Sequence, residues 1–136
     1  MTLNEFCTRY QGQKVDFDGV CGAQCVDLAR QYMDKVYQIP RTEGLGEDGG
    51  AKDLYLKYDK MPLEKKYLQK VRSPAVGDLV VFGATPANKY GHVAILVGKF
   101  EDQLLCFEQN GYSQDGAKYV WRPNVGLLGG LRKRNG

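Results

Sequence analysis

The stretch Tyr90-Gly91-His92-Val93-Ala94-Ile95-Leu96-Val97 places the only histidine of the chain directly before a run of apolar, mainly branched residues. A compact run of this kind after a glycine is typical of a buried β-strand. Four more apolar runs with the same character follow Pro74, at residues 79–82, 104–108, 119–121 and 127–131. The C-terminal part of the chain is therefore predicted to form antiparallel strands joined by turns.

The first residues of the chain predict a helix. Residues 2–5, Thr-Leu-Asn-Glu, match a capping box, in which the first hydroxyl and the last carboxylate satisfy each other's backbone donors. The apolar residues that follow at helical spacing are Leu3, Phe6, Cys7 and Tyr10.

A second helix is predicted from Gln24 to a point before Pro40. Its apolar face contains Cys25, Leu28, Ala29, Tyr32 and Val36. A shorter helix is predicted over residues 51–58. Because helices precede strands rather than alternating with them, we expect an α+β domain.

Length and composition are those of one globular domain. The chain has 136 residues, 43% of them hydrophobic and 26% charged. We expect the domain to span residues 1–132, with residues 133–136 as a tail or the start of a linker. No stretch approaches the roughly 20 apolar residues needed to cross a bilayer, and the N-terminus lacks the pattern of a secretory signal. The protein is therefore expected to leave a cytoplasm by another route, or to have lost its leader.

The net charge of +3 is modest, but five positive charges lie near the C-terminus. They belong to Lys118, Arg122, Arg132, Lys133 and Arg134. Such a cluster suits an anionic surface, although a solvated C-terminal edge is the favoured interpretation. No nucleic-acid motif accompanies it.

Four cysteines are present. Cys7 and Cys106 fall on apolar segments and are predicted to be buried small hydrophobic residues. Cys21 and Cys25, four residues apart, are able to pair, to bind a metal, or to leave one reactive thiol.

Cys25 and His92 are the candidate reactive pair. A thiol at a helix N-terminus lies near the positive end of the helix dipole, which favours the thiolate that attacks carbonyl groups. His92 would then move the proton to the leaving amine. Glu108 and Asn110 stand at alternate positions where a strand is predicted to end, so either is placed to orient the imidazole. A structural cysteine and a surface histidine are the alternative.

The segment Asp16-Phe17-Asp18-Gly19-Val20 resembles the start of a calcium loop, with carboxylates at alternate positions before a glycine. The carbonyl groups of Val20 and Gly22 would continue the ligand ring, and Asp27 would close it. The missing glutamate at the twelfth loop position argues against an EF-hand. A solvated turn is an equally good interpretation of these residues alone.

Together these residues resemble the CHAP family, the cysteine, histidine-dependent amidohydrolases and peptidases of phage endolysins and bacterial wall hydrolases. Residues 16–28 match the spacing of the family's nucleophile segment. Residues 76–82 and 90–94 match its histidine segment, and residues 107–110 match the segment that supplies the last two active-site residues. The resemblance covers nearly the whole chain and is strongest to N-terminal domains of endolysins from phages of Gram-positive hosts.

The resemblance implies a papain-like, NlpC/P60-type α+β fold, with N-terminal helices packed on an antiparallel sheet. It implies an active quartet of Cys25, His92, Glu108 and Asn110. It also implies a structural Ca²⁺ held by Asp16, Asp18, Val20, Gly22 and Asp27. Residues Val20, Cys21 and Gly22 depart from related members, and a disulfide between Cys21 and Cys25 under oxidation is a hypothesis.

The implied substrate is the peptidoglycan of a Gram-positive bacterium, with no nucleic-acid partner and no membrane insertion. The implied protein is a phage-encoded monomer, made in the host cytoplasm and acting at the wall, or else secreted. In a longer protein it would be fused to a cell-wall-binding domain.

Several activities remain open. An endopeptidase that cuts the stem peptide or cross-bridge is favoured, with an N-acetylmuramoyl-L-alanine amidase using the same residues as the alternative. A non-catalytic, calcium-dependent wall-binding module and a protease or transferase acting on proteins are further alternatives. A zinc site from Cys21, Cys25 and His92 lacks the usual paired ligand spacing.

Overall fold

A computed structural model describes residues 1–17, 19, 24–40, 50–110 and 115–135, and the side chain of Leu63 is outside that description. The helices are α1 (Leu3–Tyr10), α2 (Cys25–Lys35), α3 (Asp53–Leu56) and α4 (Pro62–Tyr67), with a 3₁₀ turn at Tyr58–Lys60. The strands are β1 (Leu68–Val71), β2 (Leu79–Phe82), β3 (His92–Phe100), β4 (Gln103–Glu108), β5 (Lys118–Pro123) and β6 (Leu127–Lys133). No helix in these ranges is long and apolar enough to span a bilayer.

The six strands form one antiparallel sheet in the order β1-β6-β2-β3-β4-β5. The predicted α+β class is confirmed, and each of the five predicted strands is present. Helix α4 and strand β1 were not predicted. The helix starts at Pro62, whose fixed φ suits the first helical position. Strand β1 has only four residues, too few for a clear period-2 pattern.

Helix α1 is fixed by the predicted capping box. The Glu5 amide donates to Thr2 Oγ1 over 3.1 Å, and the Thr2 amide donates to Glu5 Oε1 over 2.8 Å. Two of the four amide groups that a helix start leaves without helical partners are satisfied in this kind of exchange.

The two faces of the sheet bury separate clusters. On one face, α2 packs through Leu28, Ala29, Tyr32 and Met33 against a cluster that includes the strand residues Leu79, Val81, Val93, Ile95 and Phe107. The other face buries Val80, Phe82, Ala94, Leu96, Leu104 and Cys106. This division follows from the alternation of side chains along each strand. Cys7 and Cys106 are both buried, as predicted.

The prediction of a solvated basic edge is wrong for Arg122, whose side chain is 12% exposed, whereas Arg132 is half-buried and Arg134 is exposed. Arg122 and Arg132 each bind a carboxylate through two nitrogens. Arg134 donates to the Lys65 carbonyl over 2.7 Å and to the Tyr58 hydroxyl over 2.9 Å. Antiparallel pairing brings these C-terminal residues back onto the fold, which sequence distance alone does not reveal. Strand β6 itself continues to Lys133.

Candidate active site

Three predicted site residues occupy the ends of three elements. Cys25 is the first residue of α2, His92 the first of β3, and Glu108 the last of β4. Because β3 and β4 are antiparallel neighbours, the start of one lies beside the end of the other. Helix α2 packs across these strands, so its first residue reaches the same edge of the sheet.

His92 lies between Cys25 and Glu108. Its Nε2 is 3.1 Å from Glu108 Oε2, and the two side chains are 8% and 2% exposed. This close approach of the imidazole to the carboxylate is a charged contact when the ring is protonated. The ring is also within hydrogen-bonding reach of the Cys25 thiol. With Nε2 directed at Glu108, Nδ1 is the nitrogen that remains for Cys25.

These contacts favour the protonated imidazole. Burial, the largest single influence, lowers the pKa of His92, but hydrogen bonding and charge interactions with Cys25 and Glu108 outweigh it and raise the pKa to about 9. A pKa of about 9 favours the imidazolium at neutral pH, beside the Cys25 sulfur and the Glu108 carboxylate.

Arg122 is a site residue that the sequence prediction missed. Its Nε and Nη2 donate to the two oxygens of Glu108, with the Nη2 contact at 2.6 Å. The guanidinium carbon is 5.5 Å from the centroid of the Phe82 ring, and the side chain is only 12% exposed. The available signal was that a buried carboxylate needs a cation, and that Arg122 directly follows the predicted strand at residues 119–121.

Arg122 and His92 together keep Glu108 ionised. Burial raises the pKa of Glu108 most strongly, but the contacts with Arg122 and then with His92 outweigh it and lower the pKa below its ordinary value. One carboxylate oxygen faces both cations, since Oε2 accepts from Arg122 and contacts His92.

Asn110 lies beyond the end of β4, whereas Glu108 is the last residue of that strand. Strand β4 ends at Glu108, and Asn110 has a left-handed φ of 58°. The strand alternation that placed both side chains on one side therefore does not extend to Asn110. Its Oδ1 is buried and accepts no hydrogen bond from the described residues. The polar side-chain contacts described for His92 are with Glu108 and Cys25, not with Asn110.

Gln109, also missed from the sequence, joins the end of β4 to the segment before Cys25. Its Nε2 donates to the carbonyl of Val15 over 2.6 Å and to that of Gln24 over 2.7 Å. Its Oε1 accepts from the Val15 amide over 3.0 Å. Gln109 is 2% exposed, so these bonds are formed away from water. The residue preceding Cys25 is thus fixed to the residue following Glu108.

Two of the five predicted calcium ligands are described. Asp16 Oδ1 accepts from the Gly19 amide over 3.0 Å, and Asp27 Oδ2 accepts from the Gln24 amide over 2.9 Å. Their carboxylate oxygens suit Ca²⁺ in donor type. Asp18, Val20 and Gly22 lie outside the described residues, as does Cys21 with its proposed disulfide. The described ranges contain no group of three or more acidic, histidine or cysteine side chains able to hold a metal.

A cleft of about 390 Å³ opens beside His92. Its walls come from the ends of β2 and β5, the segment between β2 and β3, and the turn before β6. They include Phe82, Thr85, His92, Arg122, Val125 and Gly126. Cys25 is not among the residues that line it.

Comparison with known protein families identifies the family of this chain. The model of the CHAP domain matches residues 15–110. The chain belongs to the CHAP family. The matched segment contains Cys25, His92 and Glu108 but ends before Arg122, so the cation that holds Glu108 lies outside it.

Two solved endolysin-type structures have the fold of this CHAP domain. The endolysin LysIME-EF1 is 24% identical, with a TM-score of 0.69 over 97% of this chain and 64% of that one. Ly7917, solved with the hydrolyzing product of MDP, is 19% identical, with a TM-score of 0.66 over 98% of this chain and 63% of that one. The chain therefore spans a little under two thirds of each of these proteins. The likeness supports the papain-like α+β fold that the sequence implied.

Proposed function

We propose that this CHAP domain is a peptidoglycan hydrolase that cleaves an amide bond through Cys25. The observation that carries the proposal is the row Cys25, His92, Glu108 at one edge of the sheet, with His92 in contact with both neighbours. A nucleophile, a proton carrier and an orienting carboxylate in this order are the requirements of cysteine-dependent acyl transfer.

In the proposed reaction the Cys25 sulfur, as thiolate, attacks the carbonyl carbon of the scissile amide. The protonated His92 then gives its proton to the leaving nitrogen as the C–N bond breaks, which leaves a thioester on Cys25. The neutral imidazole next takes a proton from water, whose oxygen attacks the thioester carbon. The C–S bond then breaks, which releases the acid and returns Cys25 as thiolate beside a protonated His92. Glu108 stabilises the imidazolium and fixes the ring orientation, and Arg122 keeps Glu108 ionised.

The bond we favour lies in the stem peptide or cross-bridge, which makes the protein an endopeptidase. The support is the similarity to phage endolysin domains that include this activity. An N-acetylmuramoyl-L-alanine amidase with the same residues is the second candidate. The proposed site of action is the wall of a Gram-positive bacterium, reached from the host cytoplasm or after secretion. In a longer protein this domain would act beside a wall-binding domain.

Mass spectrometry of fragments released from purified walls of several Gram-positive species tests the activity and the bond together. An endopeptidase exposes a new amino terminus within the peptide, whereas an amidase leaves a free lactyl carboxyl group on the sugar and releases the stem peptide from its first residue. Cys25→Ala should still sediment with walls but release no fragments. Fragment release by Cys25→Ala, or digestion of casein without any digestion of walls, would contradict the proposal.

We also propose that Ca²⁺ supports the segment before Cys25, with Asp16, Asp18 and Asp27 as carboxylate ligands and the carbonyl groups of Val20 and Gly22 completing the set. The donor types of the two described carboxylates fit this ion. The ion would supply rigidity to the start of α2, because Asp27 caps that helix by accepting from the Gln24 amide.

A further inference from the structure

The cleft beside His92 carries an inference that rests on the proposed function. We propose that this cleft binds the part of the substrate on the leaving-amine side of the scissile bond, and that it favours an uncharged or anionic segment.

The direction of the substrate follows from the row of reacting groups. The acyl carbon must bond to the Cys25 sulfur, and the leaving nitrogen must receive its proton from His92. Passing from Cys25 to His92 therefore follows the substrate from its acyl side to its amine side. The cleft is lined by His92 but not by Cys25, so it continues in the amine direction.

The position of the cleft on the sheet agrees with this direction. Phe82, which lines it, belongs to the cluster on the sheet face opposite α2. Arg122, which also lines it, has its guanidinium above the Phe82 ring. The helix that bears Cys25 packs on the other face. His92 therefore both borders the cleft and lies within reach of Cys25.

The charge of the cleft indicates the ligand class. Two cationic groups line it, the His92 ring and the Arg122 guanidinium, and no carboxylate is among the described residues of its wall. The carboxylate of Glu108, which is 2% exposed, contacts both cationic groups and compensates part of their charge. A cationic segment would be repelled here, whereas a neutral peptide or one with a carboxylate would not.

Val125 offers a way to change this charge without touching the reacting groups. It lines the cleft and is 76% exposed, so polar substitutions there should leave the fold intact. Val76 is a matched control, because it is 55% exposed and does not line the cleft.

The test is aminolysis of the acyl-enzyme during digestion of purified walls. An added dipeptide that enters the leaving-amine site attacks the thioester through its amino group. The C–S bond breaks, a C–N bond forms, and the amine proton passes through His92 to the Cys25 sulfur. Glycylglycine carries a carboxylate into the cleft, and glycylglycinamide does not. Mass spectrometry gives the ratio of transfer to hydrolysis products for each dipeptide, and this ratio does not depend on the amount of folded enzyme.

We expect Val125→Asp to lower the transfer ratio of glycylglycine relative to glycylglycinamide roughly fivefold, and Val125→Lys to raise it by a similar factor. Val76→Asp and Val76→Lys should leave it unchanged. Equal ratios in all variants, or equal shifts in the Val76 and Val125 variants, would overturn the cleft assignment while wall cleavage still stands. If the unmodified enzyme releases no wall fragments, the proposed function fails and the cleft assignment fails with it.

Discussion

Arg122 binds both carboxylate oxygens of Glu108, and the same Glu108 oxygen that accepts from Arg122 Nη2 is 3.1 Å from Nε2 of His92. The carboxylate is thus held from one side by a permanent cation while it faces the imidazole on the other. A bidentate contact fixes both the position and the plane of a carboxylate. The orientation of His92 therefore depends on a residue of β5 that does not touch Cys25 in any described contact.

Removing Arg122 should change the acid side of the pH profile. In Arg122→Met the pKa of Glu108 should rise, because burial raises this pKa and only His92 would remain to lower it. Since the carboxylate must be ionised to support the imidazolium, the acid limb of kcat/KM should move to higher pH. The free energy of unfolding should fall by about 3 kcal/mol, as expected when one partner of a buried pair is lost. Kinetics on walls across pH and denaturant melts measure the two effects.

Arg132→Met is the matched control for that variant. Arg132 binds Asp78 through two nitrogens as well, but its side chain is 40% exposed and the pair lies away from His92. Its loss should reduce stability less and leave the acid limb unchanged. An acid limb that moves equally in both variants would show that general destabilisation, not Glu108, controls the profile.

Glu108→Gln should change the alkaline side. Burial lowers the pKa of His92 and the Glu108 carboxylate raises it. Without that carboxylate, the pKa of His92 should fall below its value of about 9. The alkaline limb of kcat/KM should move down by about one pH unit or more, and kcat should fall about 10²-fold or more. Glu101→Gln, at an exposed turn residue, is the control. An unchanged alkaline limb in Glu108→Gln would remove Glu108 from its proposed role.

The same pKa shift predicts how stability depends on pH. The pKa of His92 is higher in the folded protein than its ordinary value of 6.5. Its contribution to stability is therefore fully present below about 6.5 and is lost as the pH rises through about 9. Thermal melts across this range should show a decline that is smaller in Glu108→Gln. A decline of equal size in the variant would assign it to other groups.

The parts of this molecule that the sequence predicted are those set by local patterns. The Thr2 capping box and the apolar run from Val93 to Val97 act within a few residues, so spacing alone identified α1 and the core of β3. The meeting of His92 with Glu108 was also predictable, once neighbouring strands were assumed.

The missed contacts depend on register and on loop backbone instead. Arg122 reaches Glu108 because β5 pairs with β4 in a register that places Arg122 opposite Leu104. Gln109 binds carbonyl groups about 85 and 94 residues away in sequence. Neither the contacts of Arg122 nor those of Gln109 correspond to a spacing pattern in the amino-acid sequence. Asn110 was placed by strand alternation, which does not apply at its positive φ.

Gln109→Glu should disturb the start of α2. The Gln109 amide nitrogen donates to two carbonyl groups, and a carboxylate oxygen there would face both of them without a proton to share. We expect slower alkylation of Cys25 by iodoacetamide, a lower kcat, and a loss of about 1–3 kcal/mol in stability. Gln103→Glu on the same strand is the control and should alkylate at the original rate. Unchanged alkylation in Gln109→Glu would limit that residue to a purely structural role.

Calcium removal should act on both stability and activity if the proposed ion supports the segment before Cys25. Chelation by EGTA is expected to lower the melting temperature and the rate of wall digestion, and added Ca²⁺ should restore both, because an ion bound only by the folded state stabilises it. Asp16→Asn is the variant of choice, because the asparagine oxygen can still accept from the Gly19 amide, outside any helix. Loss of the Asp27 carboxylate would weaken the start of α2 without any metal. This variant should need more Ca²⁺ for the same melting temperature. Asp102→Asn, at an exposed turn between β3 and β4, is the control and should titrate like the original protein. A melting temperature that does not respond to EGTA would exclude this ion as a structural support, whatever its effect on the walls themselves.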